Sequence, residues 1–319
     1  MILVTGGAGF IGSHLVDCLL DRGERVVCLD DFNDFYDPLL KRRNIAPHLS
    51  DDRYQLVEGD IRDVHLLESL FTNIPINKVV HLAARAGVRP SLEQPLLYEE
   101  VNVRATMQLL ELARKYKIGQ FIFASSYSVY GGNINTPLHE DDRINSTVSP
   151  YAATKYAGEL MCYTYHHLYG IPTTCLRFFS VYGPRQRPEM AIHKFTQHLY
   201  EGKPIPFFGT GDTARDYTYI DDIIQGILAT IARPFPFEVF NLGESFCVPL
   251  SQLVRLIEQV SGRKAELQRM PMQPGDVEIT YADISKARRL LDYAPQTPIQ
   301  AGLKKFITWF ESNGIWRGL

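Results

Sequence analysis

No apolar run in this chain of 319 residues approaches the roughly 20 residues that a membrane-spanning helix requires. Cysteine is scarce. Cys18, Cys28, Cys162, Cys175 and Cys247 stand singly, odd in number and without a C-x-x-C pair, so neither a disulfide framework nor a zinc motif is indicated. Neither charge sign dominates: 33 Lys+Arg face 36 Asp+Glu for a net charge of −3, which lacks the concentrated positive surface that nucleic acid needs. The N-terminus shows no basic segment, apolar segment and cleavage site in signal-peptide order; Met1-Ile2-Leu3-Val4-Thr5 reads as a strand from its first residue. A reduced cytoplasm is the expected compartment, with no membrane and no nucleic acid as partners. What remains is an ordinary globular composition, 45% hydrophobic and 22% charged, long enough to bury a large core and to divide into two domains.

Strands and helices alternate through the first half. Ile2–Thr5, Arg25–Leu29, Tyr54–Val57, Lys78–Leu82 and Phe121–Ala124 read as strands. Helical spacing runs from Ile11 to the stop at Arg22-Gly23, and again over Val64–Phe71 and Val101–Tyr116. Runs such as Val26-Val27-Cys28-Leu29 are apolar without alternation, the pattern of a parallel sheet covered on both faces. The expected fold is therefore α/β, a doubly wound parallel sheet of the Rossmann type. After residue 178, prolines at 184, 188, 204, 206, 234, 236 and 249 cut the chain into shorter elements. The expected division is a first domain over 1–178 and a smaller α/β, substrate-binding domain mainly over 179–319. A segment near 215–241, with a short strand at Val239–Asn241, is expected to return to the first sheet.

The turn Thr5-Gly6-Gly7-Ala8-Gly9-Phe10-Ile11-Gly12 joins the first strand to the first helix. A dinucleotide diphosphate needs close backbone approach and free N–H donors, which glycines and a helix N-terminus supply. Asp30 ends the second strand, where a carboxylate can accept from both ribose hydroxyls and repel a 2′-phosphate, so NAD is expected rather than NADP. Asp60 follows the third strand and can contact adenine, cap the next helix, or both.

Tyr151 and Lys155 lie one helical turn apart behind Pro150, and Ser125-Ser126-Tyr127-Ser128 follows the fifth strand. Alone, the Tyr–Lys pair is unremarkable on a helix surface. Beside a dinucleotide turn it gains chemical meaning. Oxidising an alcohol carbon requires a proton acceptor at its oxygen. A tyrosine, with a free pKa of about 10, serves only if nearby positive charge favours its phenolate.

These residues resemble the extended short-chain dehydrogenase/reductases, the family of nucleotide-sugar epimerases and dehydratases. The resemblance covers nearly the whole chain. It runs through Gly6, Gly9 and Gly12, Asp30, Asp60-Ile61, His81-Leu82-Ala83-Ala84, Asn102, Ser126, Tyr151 with Lys155, Arg215-Asp216-Tyr217 and Pro274-Gly275-Asp276. It implies Tyr151 as catalytic base, Lys155 as its activator and a ribose ligand, and Ser126 as the hydroxyl partner. It further implies that Gly6, Gly9, Phe10, Ile11, Gly12, Asp30, Asp60, Ile61, Leu82, Ala83, Ala84 and Asn102 hold NAD. A homodimer through the helices near Val101–Tyr116 and Tyr151–Tyr169 is implied as well.

Dehydratases of the family carry Asp-Glu at the places of Tyr127 and Ser128, and the decarboxylases a Glu at the place of Ser128. This chain has neither, which leaves C4 epimerisation. The segment from Arg177 to Ala191, with Gly183-Pro184-Arg185-Gln186-Arg187-Pro188, resembles the 4-epimerases that act on UDP-hexuronates. There Arg187, with Ser180, would hold the C6 carboxylate, since guanidinium pairs with carboxylate in a bidentate way. The alternative is that Arg185 and Arg187 form a solvated loop or meet the diphosphate. Arg89 would face the sugar or the phosphates. Ser128 and Asp276 complete the substrate set, and Arg215 would meet the UDP diphosphate or pair with Asp216. Tyr127 and Gln273 depart from the family's usual residues. The other readings are a UDP-glucose or UDP-N-acetylglucosamine 4-epimerase, a decarboxylase, and a nucleotide-sugar-binding protein without turnover.

Overall fold

The computed structural model describes residues 1–133, 135–272 and 277–314. Its first part runs β1 (Ile2–Thr5), α1 (Phe10–Asp21), β2 (Val26–Asp30), α2 (Pro38–Ile45), β3 (Tyr54–Glu58), α3 (Val64–Asn73) and β4 (Lys78–His81). Two short helices follow, α4 (Val88–Glu93) and α5 (Pro95–Glu99), then α6 (Ala105–Lys115), β5 (Gln120–Ser126), α7 (Pro150–Tyr169) and β6 (Thr173–Phe178). The second part runs β7 (Ser180–Tyr182), α8 (Ala191–Glu201), β8 (Ile205–Phe208), β9 (Ala214–Arg215), β10 (Tyr217–Tyr219), α9 (Ile220–Ala232) and β11 (Phe237–Leu242). It ends with β12 (Val248–Pro249), α10 (Leu250–Ser261), β13 (Leu267–Met270), β14 (Ile279–Thr280), α11 (Ser285–Leu291) and α12 (Ile299–Ser312).

The main sheet has seven strands in the order β11-β6-β5-β4-β1-β2-β3, every pair parallel. Side chains alternate across it although both faces are buried. Val4, Cys28, Val80 and Ile122 enter one apolar cluster, while Leu3, Val27, Val79 and Phe121 enter the other. This is why the strands read as continuous apolar runs. The strand order reverses beside β1, between its neighbours β2 and β4, and this opens a crevice at the carboxyl ends of the strands. The sheet's far edge, β11, comes from beyond residue 178 and pairs with β6 in register Val239↔Cys175. Smaller sheets, β10-β7, β12-β9-β14 and β13-β8, lie in the second half.

Local chemistry sets the helix ends near the crevice. Ser149 caps α7, its hydroxyl accepting from the Ala152 amide, and Pro150 takes the first helical position, where a missing N–H costs nothing. Asp63, rather than Asp60, caps α3. The expected helix over Val101–Tyr116 begins with a wider π turn over Glu100–Arg104 before α6. That turn presents Asn102 to the loop after β4. Among the described residues, no helix is long and apolar enough to cross a membrane.

Candidate active site

One elongated cleft follows the carboxyl ends of β1 to β6. At its nucleotide end, Gly6 has a positive φ of 69°, and a Cβ there would meet the Ala83 amide nitrogen at 2.8 Å. A Cβ on Gly12 would lie 2.1 Å from the Gly6 carbonyl oxygen, so only glycine lets α1 pack on the turn. Gly9 is the N-cap of α1 and brings no capping side chain, and Phe10, Ile11 and Gly12 of the first turn, whose amides lack intrahelical partners, line the cleft. This cradle fits a dinucleotide diphosphate. Asp30 is buried. Its carboxylate accepts from the amides of Ala8 (3.1 Å) and Phe32 (3.0 Å) and from Lys41 Nζ (2.9 Å). Asp60 accepts from the Arg62 amide and guanidinium and lines the cleft beside Ile61. Leu82, Ala83 and Ala84 line the opposite wall.

That wall is held from behind. Thr106 Oγ1 donates to the Asn102 carbonyl, so its lone pair takes the His81 Nε2 proton at 2.9 Å. His81 Nδ1 then accepts from Thr5 Oγ1 at 2.7 Å, and Thr5 Oγ1 accepts from the Ala83 amide at 3.2 Å. Burial pushes His81 down to about 3, so the ring stays neutral and the relay keeps one direction. Asn102 does not line the cleft. Its side chain pairs with both backbone groups of Arg85 and donates to Thr154, which sits between Tyr151 and Lys155. Asn102 therefore ties the loop after β4 to α7.

At the other end, Ser126 closes β5 while Tyr151 and Lys155 project from the first turns of α7, all three into the cleft. Ser126 Oγ donates to Ser128 Oγ (3.1 Å) and accepts from the Ser128 amide (3.2 Å). Lys155 is buried, its Nζ donating to the Ala124 carbonyl at 2.8 Å and lying 5.1 Å from the centre of the Phe123 ring. Burial pulls it down to about 7. The expected lowering of Tyr151 by Lys155 is not what the protein's own groups produce. Burial raises the Tyr151 phenol, and the pull back comes from Ser126 by hydrogen bonding and from the charge of Arg187.

Arg187 lines the cleft with Ser180. Its Nε lies 2.8 Å from Glu189 Oε1, and its guanidinium 5.8 Å from the Phe35 ring centre. Arg185 points elsewhere: a positive φ of 63° turns it away, and Nη1 pairs with Asp17 at 2.8 Å. Arg89 stacks on Phe208 at 4.9 Å and is not part of the cleft lining. Arg215 also lies outside the lining. It donates to the Ala214 and Glu278 carbonyls and makes no pair with Asp216, whose carboxylate accepts from the amides of Glu244, Ser245 and Ala282 and from the Thr218 hydroxyl. Gln273 and Asp276 lie outside the described residues.

Several lining residues carried no motif. Asn33, Phe35 and Tyr36 come from the β2–α2 connection and Lys41 from α2, and Arg85 stacks on Phe35 at 5.9 Å. The signal for them was three aromatics, Phe32, Phe35 and Tyr36, inside an otherwise acidic, polar loop, which has to cover something.

Comparison with known proteins agrees with this geometry. Residues 3–306 match the family described as GDP-mannose 4,6 dehydratase. The chain is 42% identical over 312 residues to a UDP-glucuronate 4-epimerase of Thermodesulfobacterium geofontis, covering 98% of this chain and 96% of that one. Its fold superposes on the UDP-glucuronic acid 4-epimerase of Bacillus cereus, crystallised with UDP-glucuronic acid and NAD. The TM-score is 0.92 and the identity 38%, over 98% of this chain and 99% of that one. A UDP-glucose 4-epimerase of Thermotoga maritima, crystallised with UDP-glucose, gives a TM-score of 0.91 and 33% identity over the same shares.

Proposed function

Because the chain belongs to the family described as GDP-mannose 4,6 dehydratase, we propose from its cleft that it is an NAD-dependent 4-epimerase converting UDP-glucuronate and UDP-galacturonate into each other. The observation that carries this reading is the reacting end of the cleft. Ser126, Tyr151 and Lys155 share it with Arg187, the guanidinium whose charge acts on Tyr151. The carboxylates among the described lining residues are Asp30, Asp31 and Asp60, at the ends of β2 and β3. Residues 127 and 128 are Tyr and Ser, so neither position supplies the carboxylate used for eliminating water or for protonating C5 after loss of CO2.

Gly6, Gly9, Gly12 and the first turn of α1 would hold the NAD diphosphate, and Asp30 with Lys41 the adenine-side ribose. When bound, NAD supplies the two-electron acceptor and donor at C4. The chain's own residues do the rest. Tyr151 takes the C4 hydroxyl proton and later returns it, Ser126 holds that oxygen, and Lys155 holds the nicotinamide-side ribose. Arg187, assisted by Ser180, holds the C6 carboxylate. Ser128 fixes Ser126. With the proton returned to the C4 oxygen and hydride to the opposite face of C4, no net oxidation occurs.

Residues 1–178 with β11 form the dinucleotide-binding part in this reading, and most of 179–319 the nucleotide-sugar part. The biological unit is a homodimer through α6 and α7. Met107, Leu160, Tyr163, Leu168 and Tyr169 are 45–59% exposed on these helices, an apolar face that a second copy would cover. Five free thiols fit a reducing cytoplasm. The test is product analysis by NMR with UDP-glucuronate, UDP-glucose and UDP-N-acetylglucosamine offered separately. UDP-galacturonate is expected from the first. A UDP-pentose, or a 4-keto-6-deoxy sugar from UDP-glucose, would overturn the assignment.

A further inference from the structure

Arg187 reaches the cleft from the loop between β7 and α8, and a long side chain on a loop has no fixed direction of its own. The residue before it is an anchor. Gln186 is only 3% exposed, uncommon for a loop glutamine. Each of its polar groups is engaged. Its amide donates to the Gly183 carbonyl (3.1 Å) and Nε2 to the Val181 carbonyl (3.0 Å). Oε1 accepts from the His193 amide (3.1 Å), and the Gln186 carbonyl accepts from His193 Nδ1 (2.6 Å). The N-cap of α8, Met190, makes no side-chain cap bond, so Gln186 Oε1 takes a first-turn amide that would otherwise lack a partner. Val181 follows Ser180. One side chain thus ties the strand bearing Ser180 to the helix that follows Arg187.

His193 completes the clamp. It is fully buried, with the rings of Phe306, Trp309 and Phe310 edge-on at 5.8, 6.1 and 5.5 Å. A carbonyl only accepts, so Nδ1 carries the proton, and Nε2 is left without a hydrogen-bond partner. Burial holds the ring neutral, its pKa pushed down to about 4. Packing against three aromatic rings calls for an apolar residue. A histidine with one unmatched nitrogen is costly there unless its other nitrogen has a task. That task is the bond to Gln186.

We infer that Gln186 and His193 are positioning residues for Arg187, and that preference for a uronate over a neutral hexose depends on their clamp. The inference rests on reading Arg187 as the partner of the C6 carboxylate. The test uses the full chain with NAD bound and measures Kd for UDP-glucuronate and UDP-glucose by calorimetry. Arg187→Ala, Gln186→Leu, His193→Phe, His193→Asn and His193→Gln are compared with the unaltered protein. Gln186→Leu and His193→Phe should weaken UDP-glucuronate roughly tenfold, the order expected for a lost buried hydrogen bond, and UDP-glucose by less than about twofold. His193→Asn, whose amide nitrogen falls where Nδ1 sits, should recover most of the preference. His193→Gln, whose nitrogen falls where Nε2 sits, should not. Should His193→Phe fail to fold, the Asn and Gln variants carry the same contrast. Equal weakening for both sugars, or none for either, overturns the clamp. If Arg187→Ala is itself unselective, the reading of Arg187 fails. If Arg187→Ala is selective while the Gln186 and His193 variants are not, the clamp alone fails.

Discussion

A buried ion pair behind the reacting groups offers a test of how rigidly they are held. Glu159 and Arg177 have side chains 5% exposed and meet in a bidentate fork, Nε to Oε1 at 2.9 Å and Nη2 to Oε2 at 2.7 Å. Burial works against the charge on Arg177, but the hydrogen bonds to Glu159 outweigh it and hold the guanidinium pKa above its usual value. Ser125 Oγ donates to Glu159 Oε1, and the guanidinium lies 4.7 Å from the Tyr130 ring centre. Ser125 precedes Ser126, and Glu159 is one turn beyond Lys155, so the pair fastens β5 and β6 to α7 where the reacting groups emerge. Arg177→Met leaves a carboxylate buried with Ser125 as its remaining donor. Breaking such a pair from one side costs about 3–5 kcal/mol, whereas replacing both partners by apolar groups is often nearly neutral. At roughly 2 °C per kcal/mol for a long chain, each single variant should melt about 6–10 °C lower. Arg177→Met with Glu159→Met should be much less destabilised than the sum of the singles, a coupling of about 2 kcal/mol or more. Turnover should fall about 100-fold in the singles if the reacting groups shift by about an ångström. Thermal unfolding and kcat on the four proteins measure both effects. Additive losses in Tm would refute the paired burial, and unchanged kcat in a destabilised single would refute the link to the reacting groups.

Tyr151→Phe should lower kcat by about 100-fold to 10,000-fold while UDP-sugar binding stays close to normal, because only a proton acceptor is lost; substantial residual activity would place the base elsewhere. Protein denatured after purification should release NAD and not NADP, since the Asp30 carboxylate, fixed by two amides and Lys41, repels a 2′-phosphate; preference for NADP in a titration would reassign the Asp30–Lys41 pair. Burial depresses His81 to about 3 and His193 to about 4, against about 6.5 in the unfolded chain. The unfolded state therefore takes up these protons first: their contribution to stability is complete above about pH 6.5 and declines toward pH 4, by up to about 1.4 kcal/mol per pH unit for each ring. Asp216 and Glu244, raised by burial to about 6 and about 7, act in the opposite direction, so the informative comparison of urea midpoints between pH 7 and pH 5 is with His193→Asn, which should show the shallower loss. Identical slopes would mean that His193 is not held neutral.

The main sheet was legible because both of its faces are covered, so its strands are apolar runs set between amphipathic helices. The glycine turn was legible because its constraint is local: Gly6 and Gly12 are fixed by contacts a Cβ would violate within one strand–turn–helix unit. Tyr151 and Lys155 were legible as a pair because a helix beginning at Pro150 sets their relative direction. What the sequence did not reveal was decided by contacts between distant segments. Arg185 and Arg187 look alike in sequence, and only the positive φ at Arg185 and the partner Asp17 separate them. Asn102 reads as one helix residue among many, and its place behind the Arg85 loop depends on a π turn that no periodicity announces. Arg89 was placed by its position after the fourth strand and Arg215 by motif, and the Phe208 ring and the Glu278 carbonyl that hold them lie on distant segments.

In the proposed reaction one cation, Arg187, would serve two chemical demands. Tyr151 needs positive charge near its oxygen, and burial alone opposes its phenolate; Arg187 is the charged group of the protein that counters this. A 4-keto uronate makes the second demand, because it is a β-keto acid whose natural side reaction is loss of CO2. That loss proceeds when the C5–carboxylate bond stands perpendicular to the C4 carbonyl, so that the departing electron pair overlaps its π system. A guanidinium bound to the carboxylate opposes both requirements: it holds the group at a set angle, and its charge favours the anion over neutral CO2. In the proposed reaction the same cation that assists proton removal at C4 would therefore guard the product of that step, provided it stays in place. Glu189, 2.8 Å from Arg187 Nε and 40% exposed at its side chain, is a weak counterion that a substrate carboxylate can replace. Gln186 and His193, buried on the loop's inner side, supply the rigidity that such an exposed pair does not.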